Sequence, residues 1–81
     1  MFFNKNKKKN NIEHNIINML DYHYRIDGIY NDLLIVDLDV ETCEINKGQI
    51  VKILNKLYEV HNVEFIPSNN LFNYRLMVTE I

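Results

Sequence analysis

The 81 residues contain no alanine and no tryptophan, one cysteine, one proline, one serine and two glycines. Each scarcity excludes something. A lone cysteine closes no internal disulfide, and the Cys/His spacings of zinc sites are missing, so neither a disulfide scaffold nor a zinc finger is expected. Gly28 and Gly48 are isolated and form no phosphate-cradling loop. One serine without a Ser–His–Asp arrangement does not support hydrolysis of that type. No apolar run approaches the roughly 18 residues that a membrane helix needs. Met1-Phe2-Phe3 runs straight into lysines with no apolar stretch behind it, so no secretion signal is expected.

What is present fits one small folded domain. Hydrophobic residues make up 47% and charged residues 25% of the chain, which is too apolar for disorder. Phe, Ile, Lys, Asn, Tyr and Met supply 43 residues, whereas Gly, Ala, Arg and Pro supply 5. That bias follows AT-rich codons, so the expected source is a low-GC bacterium, its phages or plasmids, or an AT-rich parasite. A core this small is marginal without a staple, and self-association is one remedy, so a homodimer is expected.

Charge is unevenly spread. Residues 1–10 hold Lys5, Lys7, Lys8 and Lys9 and no acid. Residues 11–81 hold five basic residues and eleven acids, a net charge of −6. Asp27, Asp32, Asp37, Asp39, Glu41 and Glu44 follow one another with no Lys or Arg between them. The expected organisation is a disordered basic arm over residues 1–9 and a single domain over 10–81.

Hydrophobic spacing predicts an α+β fold. Ile12, Ile16, Met19, Leu20, His23 and Ile26 recur at steps of three and four, behind an Asn10–Glu13 capping pattern and ahead of Gly28. This predicts a first helix over about 11–26. Ile50, Ile53, Leu54, Leu57, Tyr58 and His61 repeat the pattern behind Asn46-Lys47-Gly48-Gln49, predicting a second helix over about 47–60. Leu33–Val40 alternates as a strand with Leu34, Val36, Leu38 and Val40 inward. Its other face passes from Leu33 and Ile35 to Asp37 and Asp39, as a half-exposed face would. Val63–Ile66, stopped by Pro67, and Phe72–Val78 read as an antiparallel pair. Residues 41–45 either add a short strand or form a connection. The expected order is α-β-α-β-β, a three-stranded mixed sheet with both helices on one face and a parallel crossover between its first strands. The bare sheet face, bearing Asp37, Asp39, Glu64, Asn73, Arg75 and Met77, would be a dimer or partner surface.

Several constellations carry chemistry. Asp37 and Asp39 stand at i and i+2 of a strand, about 7 Å apart, close enough to share a magnesium ion or divide nucleophile and acid duties. Ile35-Val36-Asp37-Leu38-Asp39 resembles the first motif of the haloacid dehalogenase-type phosphatases over those five residues. That resemblance implies a metal-dependent enzyme at Asp37 and Asp39. The further strands with a lysine and more acids that those enzymes use are not found here, and an acidic half-face at a strand end accounts for the pair. His23, Cys43 and His61 match no ligand spacing and read as two amphipathic histidines closing helix ends and a small buried thiol. Lys5–Lys9, with Lys52 and Lys56 on the second helix, suit a small nucleic-acid-binding protein whose affinity falls with salt. A solvated tail is the plainer account.

The acidic stretch points elsewhere. Spaced carboxylates on a small domain attract the basic groove of a nucleic-acid enzyme and steer association. The leading expectation is therefore a non-enzymatic protein-binding module without cofactor or metal, working in the host cytoplasm. It would be a phage or mobile-element accessory protein that inhibits a host nucleic-acid-handling enzyme, in anti-CRISPR or anti-restriction style. Its partner-binding residues would be Asp32, Asp37, Asp39, Glu41 and Glu44.

Overall fold

A computed structural model describes residues 16–67 and 71–81. Two tight turns set its architecture. Asn31 and Asp32 take φ of 53° and 65°, and Leu54 and Asn55 take 50° and 68°. Consecutive left-handed residues make the two-residue type I′ turn, whose twist matches paired strands. The first turn folds β2 (Tyr24–Tyr30) onto β3 (Leu33–Leu38), and the second folds β4 (Ile50–Ile53) onto β5 (Lys56–Phe65). β6 (Tyr74–Glu80) lies antiparallel between β5 and β3, and the short β1 (Ile16–Asn18) runs parallel to β4. The sheet is six-stranded, in the order β1-β4-β5-β6-β3-β2. The only helical element among the described residues is a 3-10 turn over Met19–Asp21.

This overturns the α+β reading. The second predicted helix, 47–60, is a β-turn followed by the β4–β5 hairpin. Asn46, Lys47, Gly48 and Gln49 close that β-turn: Gln49 N–H donates to the Asn46 carbonyl at 3.1 Å, and Gly48 takes φ of 92°. The Gln49 side chain accepts from the Asn46 N–H at 2.6 Å, so this polar spacing serves a turn and not a helix cap. The first predicted helix, 11–26, becomes β1, the 3-10 turn and the start of β2 from residue 16 onward; residues 11–15 lie outside the described residues. Of the predicted stripe, Ile53 and Tyr58 face the core, whereas Leu54 falls in the turn and Ile50 and Leu57 lie on the other face. The absence of alanine and the density of Ile, Val and Tyr favour the strands. The predicted crossover is also corrected: β3 pairs with β2 and β6, both antiparallel. Residues 41–45 form no strand.

Paired residues share a sheet face, which divides the side chains cleanly. One face carries Val36, Leu38, Val51, Ile53, Val60, Leu76 and Val78, none more than 1% exposed. Leu34, Val36 and Leu38 of β3 and Tyr74, Leu76 and Val78 of β6 point there, as their alternation predicts. Val60 and Val63 both join them, three residues apart, because a bulge at His61 resets the β5 register. Met19 from the 3-10 turn and Ile45 from the 39–49 connection cover this face and are buried with it.

That connection is pinned at three places. Gly48 N–H donates to the Val60 carbonyl and Val60 N–H to the Gln49 carbonyl, at 2.8 and 2.9 Å. The Asn73 amide accepts from the Val40 N–H and donates to the Val40 carbonyl, at 3.2 and 2.7 Å. Asp39 N–H donates to the His23 carbonyl at 2.9 Å.

The sheet also has to curl. Its two edge strands, β1 and β2, are joined by residues 19–23 alone, yet the edges of a flat six-stranded sheet lie about 24 Å apart. Six Cα steps reach about 21 Å when fully extended, and a 3-10 turn shortens them. The ends of β1 and β2 therefore draw together over the covered face. Beyond the bulge at Asp27, β2 leaves the core, and Ile29 and Tyr30 stand 76% and 70% exposed.

Candidate binding surfaces

The uncovered face is organised by one cross-strand row. Arg25 of β2 pairs with Asp37 of β3, Asp37 with Arg75 of β6, and Arg75 with Glu64 of β5. The charges alternate in sign across four strands. Asp37 has no solvent exposure at all, because the two guanidiniums cover it. Arg75 donates to it from Nε at 2.8 Å and Nη2 at 3.2 Å, and Arg25 from Nη2 at 3.2 Å. The half-exposed position expected for Asp37 is thus corrected: an acid between two cross-strand arginines is sealed by their own side chains.

Asp27 completes the cluster. It is the extra residue of the β2 bulge, which sets it on the same face as Gly28. Gly28, at φ of 139°, supplies a backbone geometry that side-chain-bearing residues rarely adopt. Asp27 accepts from Arg25 Nε and from Arg75 Nη2, each at 3.0 Å.

The two carboxylates titrate in opposite directions. Burial pushes Asp37 up, but hydrogen bonds from Arg75, Asp27 and Arg25 outweigh it and hold Asp37 below the ordinary 3.8. Asp27 is raised above 3.8, chiefly because its proton bridges to Asp37, with desolvation and the Asp37 charge adding to this. Arg75 is raised, first by its hydrogen bond to Asp37. With both arginines committed, the cluster acts as a cross-strand clamp on β2, β3 and β6. Beside it, Asp27, Tyr30, Leu33, Ile35, Arg75 and Met77 line an open groove of about 450 Å³.

The five acids singled out in the sequence do not form one surface. Asp32 sits in the β2–β3 turn, at one end of β3. Asp37 is inside the clamp. Asp39, at the other end of β3, meets His23 Nδ1 through Oδ2 at 3.0 Å. Glu41 and Glu44 are exposed on the 39–49 connection, and Asp21, on the 3-10 turn, is exposed as well. Asp21, Glu41 and Glu44 form no ion pair among the described residues. Glu44 and Asp21 both reach Tyr22, whose hydroxyl is raised by burial first, then by Glu44, Cys43 and Asp21.

The remaining candidates separate too. His23 and His61 close no helix: both are exposed, His61 at the β5 bulge. His23 meets Phe72 in a tilted ring contact, 5.2 Å between centroids, and the Phe72 ring also lies 4.4 Å under the Arg25 guanidinium. Cys43 is half-buried; burial raises its thiol, which donates to the Ile45 carbonyl at 3.6 Å. Lys52 and Lys56 sit on β4 and β5 rather than on a helix. Lys5–Lys9 lie outside the described residues.

Sequence reasoning gave no role to Arg25 or Asp21, and none to Asp27 beyond its place in the acidic stretch. An acid embedded in an apolar strand, in a chain with only two arginines, is the signal that would have drawn attention to the clamp. No group of three or more His, Cys, Asp or Glu side chains among the described residues is placed to hold a metal ion. No helix among them is long and apolar enough to cross a membrane. Comparison with protein-family models, curated proteins and solved structures finds no match for this chain.

Proposed function

We propose that the protein is a non-enzymatic binding module whose acidic end, formed by Asp21, Glu41 and Glu44 with Asp39 at the rim, meets a basic surface on a partner protein. The observation that supports this is the contrast in charge pairing. The cluster on the sheet is internally neutralised, whereas Asp21, Glu41 and Glu44 carry exposed charge with no cation beside them among the described residues. Unscreened like charges raise the local potential and speed encounter with a basic surface. The surface favoured here is the nucleic-acid groove of a host enzyme, reached in the host cytoplasm and blocked without a cofactor, in the manner of a phage or mobile-element inhibitor. Asp32 stands at the far end of β3, about 20 Å away for a six-residue strand, and Asp37 is enclosed, so neither belongs to this reading.

Affinity capture from a low-GC bacterial lysate tests it. The wild-type protein is compared with an Asp21→Asn, Glu41→Gln, Glu44→Gln variant, each with and without nuclease. A nucleic-acid enzyme retained after nuclease and lost with the variant is the expected result. Capture that needs nucleic acid and ignores the variant refutes it and makes the lysine-rich arm of residues 5–9 the working end.

A further inference from the structure

We propose that one end of the sheet, where the 3-10 turn meets the β4–β5 turn, docks on an anionic lipid surface, with Leu20 and Leu54 entering its headgroup region. The two turns lie side by side. Leu20 and Leu54 line one hollow of about 230 Å³, together with Asn18, Lys52 and Asn55. Leu20 is 81% exposed and Leu54 is 72% exposed. Each directly follows a residue locked in the core, Met19 at 0% and Ile53 at 1% exposure. The Asn18 side chain also caps the 3-10 turn, accepting from the Leu20 N–H at 3.0 Å. Both leucines are therefore held outward by turns that the core fixes in place.

Leu54 carries the sign of an outside contact. It stands at the first left-handed position of its turn, at φ of 50°, where Asn or Gly is favoured and an apolar side chain is strained. The other turn of this type in the sheet puts Asn31 and Asp32 at the same two positions. Backbone strain at an exposed apolar residue, with little packing to offset it, marks a site that meets something beyond the molecule.

Charge identifies what it meets. Lys52 lies in the hollow beside both leucines, exposed and without an ion pair among the described residues. With Asn18 and Asn55 it also lines an adjoining hollow of about 510 Å³, and no acid lines either one. That second hollow is bounded by Ile16, where the chain enters β1. The sequence ahead of Ile16 carries Lys5, Lys7, Lys8 and Lys9. Lys9 is seven residues from Ile16, so at most about 25 Å of chain separates them. Five lysines are thus placed or tethered at the two leucines, with Glu13 and Asp21 as the nearby opposing charges in the sequence. Apolar tips joined to a polybasic segment are the combination that holds a protein on anionic lipid. Lysines alone would suit a nucleic acid equally, but a phosphate backbone offers two exposed leucines nothing to enter. The proposal does not rest on the acidic-end reading, which uses other residues.

Co-sedimentation of the full chain with vesicles tests it, using equal parts phosphatidylglycerol and phosphatidylcholine beside phosphatidylcholine alone. Circular dichroism confirms that each variant folds. The wild type is expected to sediment with the anionic vesicles and to stay in solution with the neutral ones. Leu20→Ser with Leu54→Asn is expected to lower partitioning at least about tenfold. Lys52→Gln is expected to lower it about fivefold. A wild type that stays in solution with anionic vesicles overturns the proposal. Binding that the leucine substitutions leave unchanged overturns it too, and competition by single-stranded DNA would then assign the lysines to nucleic acid.

Discussion

Asp37→Asn isolates the clamp with almost no change in shape. Three charge-assisted hydrogen bonds end on this carboxylate, which has no exposure to solvent. Removing one partner of a fully buried ion pair costs about 3–5 kcal/mol. Here the arginine side chains are 48% and 35% exposed and both keep Asp27 as a partner. Solvent and Asp27 recover part of the loss, so the expected cost is about 2–3 kcal/mol. A domain of this size is worth about 4–12 kcal/mol in all. At about 4–8 °C per kcal/mol, Tm should fall by roughly 10–20 °C.

Asp27→Asn is the matched comparison. It also loses two ion pairs, but it removes a charge that sits against Asp37, so its cost should stay below about 1 kcal/mol. Thermal and urea melts followed by circular dichroism measure both. A Tm change under about 3 °C for Asp37→Asn, or a larger loss for Asp27→Asn, refutes the assignment of Asp37 as the centre of the clamp.

The pH dependence gives the two acids opposite signs. Asp37 is lowered in the folded state, so its stabilisation is complete above 3.8 and disappears as pH falls through its lowered value. The gap between wild type and Asp37→Asn should close in that acid range. Asp27 is raised, so between 3.8 and its folded value stability falls as pH rises. Asp27→Asn should remove that decline.

Two further substitutions test the frame that holds these surfaces. Leu54 occupies a left-handed turn position at φ of 50° while 72% exposed. Leu54→Asn should therefore raise stability by about 0.5–1 kcal/mol in a thermal melt, and a loss would show that the leucine packs usefully. Ile45 is 1% exposed and is the main apolar cover that the 39–49 connection lays on the sheet. Ile45→Ala should cost about 2–4 kcal/mol by urea denaturation, and a loss below about 1 would mean that the connection is not part of the core.

The strands that read correctly from the sequence are those with a simple alternation. In β3 and β6 the inward residues fall at every second position, and no helical reading competes. The β4–β5 hairpin read as a helix because its turn falls in the middle of the stripe. Ile50, Ile53, Leu54, Leu57 and Tyr58 then keep helical spacing, although Leu54 sits in the turn and Leu57 points away from the core. Asn46–Gln49 and Gly28 were recognised as special positions, yet a capping box and a β-turn share the same polar spacing, and a helix-ending glycine and a bulge glycine share the same positive φ. Asp37 looked like a solvated acid because its two cations are 12 residues before it and 38 after it in the chain.

The sequence by itself determined which residues of β3 and β6 face inward, that no disulfide closes within these 81 residues, and the concentration of acids between Asp27 and Glu44. Those properties depend on side-chain type and on the two-residue period of a strand, which are local. Only the tertiary structure decided that β6 enters between β5 and β3, and with it the clamp. That placement brings Arg75 against Asp37 and sets Arg25 on the acid's other side. It encloses Asp37 and leaves Asp21, Glu41 and Glu44 exposed. Which acids are neutralised and which remain available depends on strand order, and strand order is set by pairing between residues far apart in the chain.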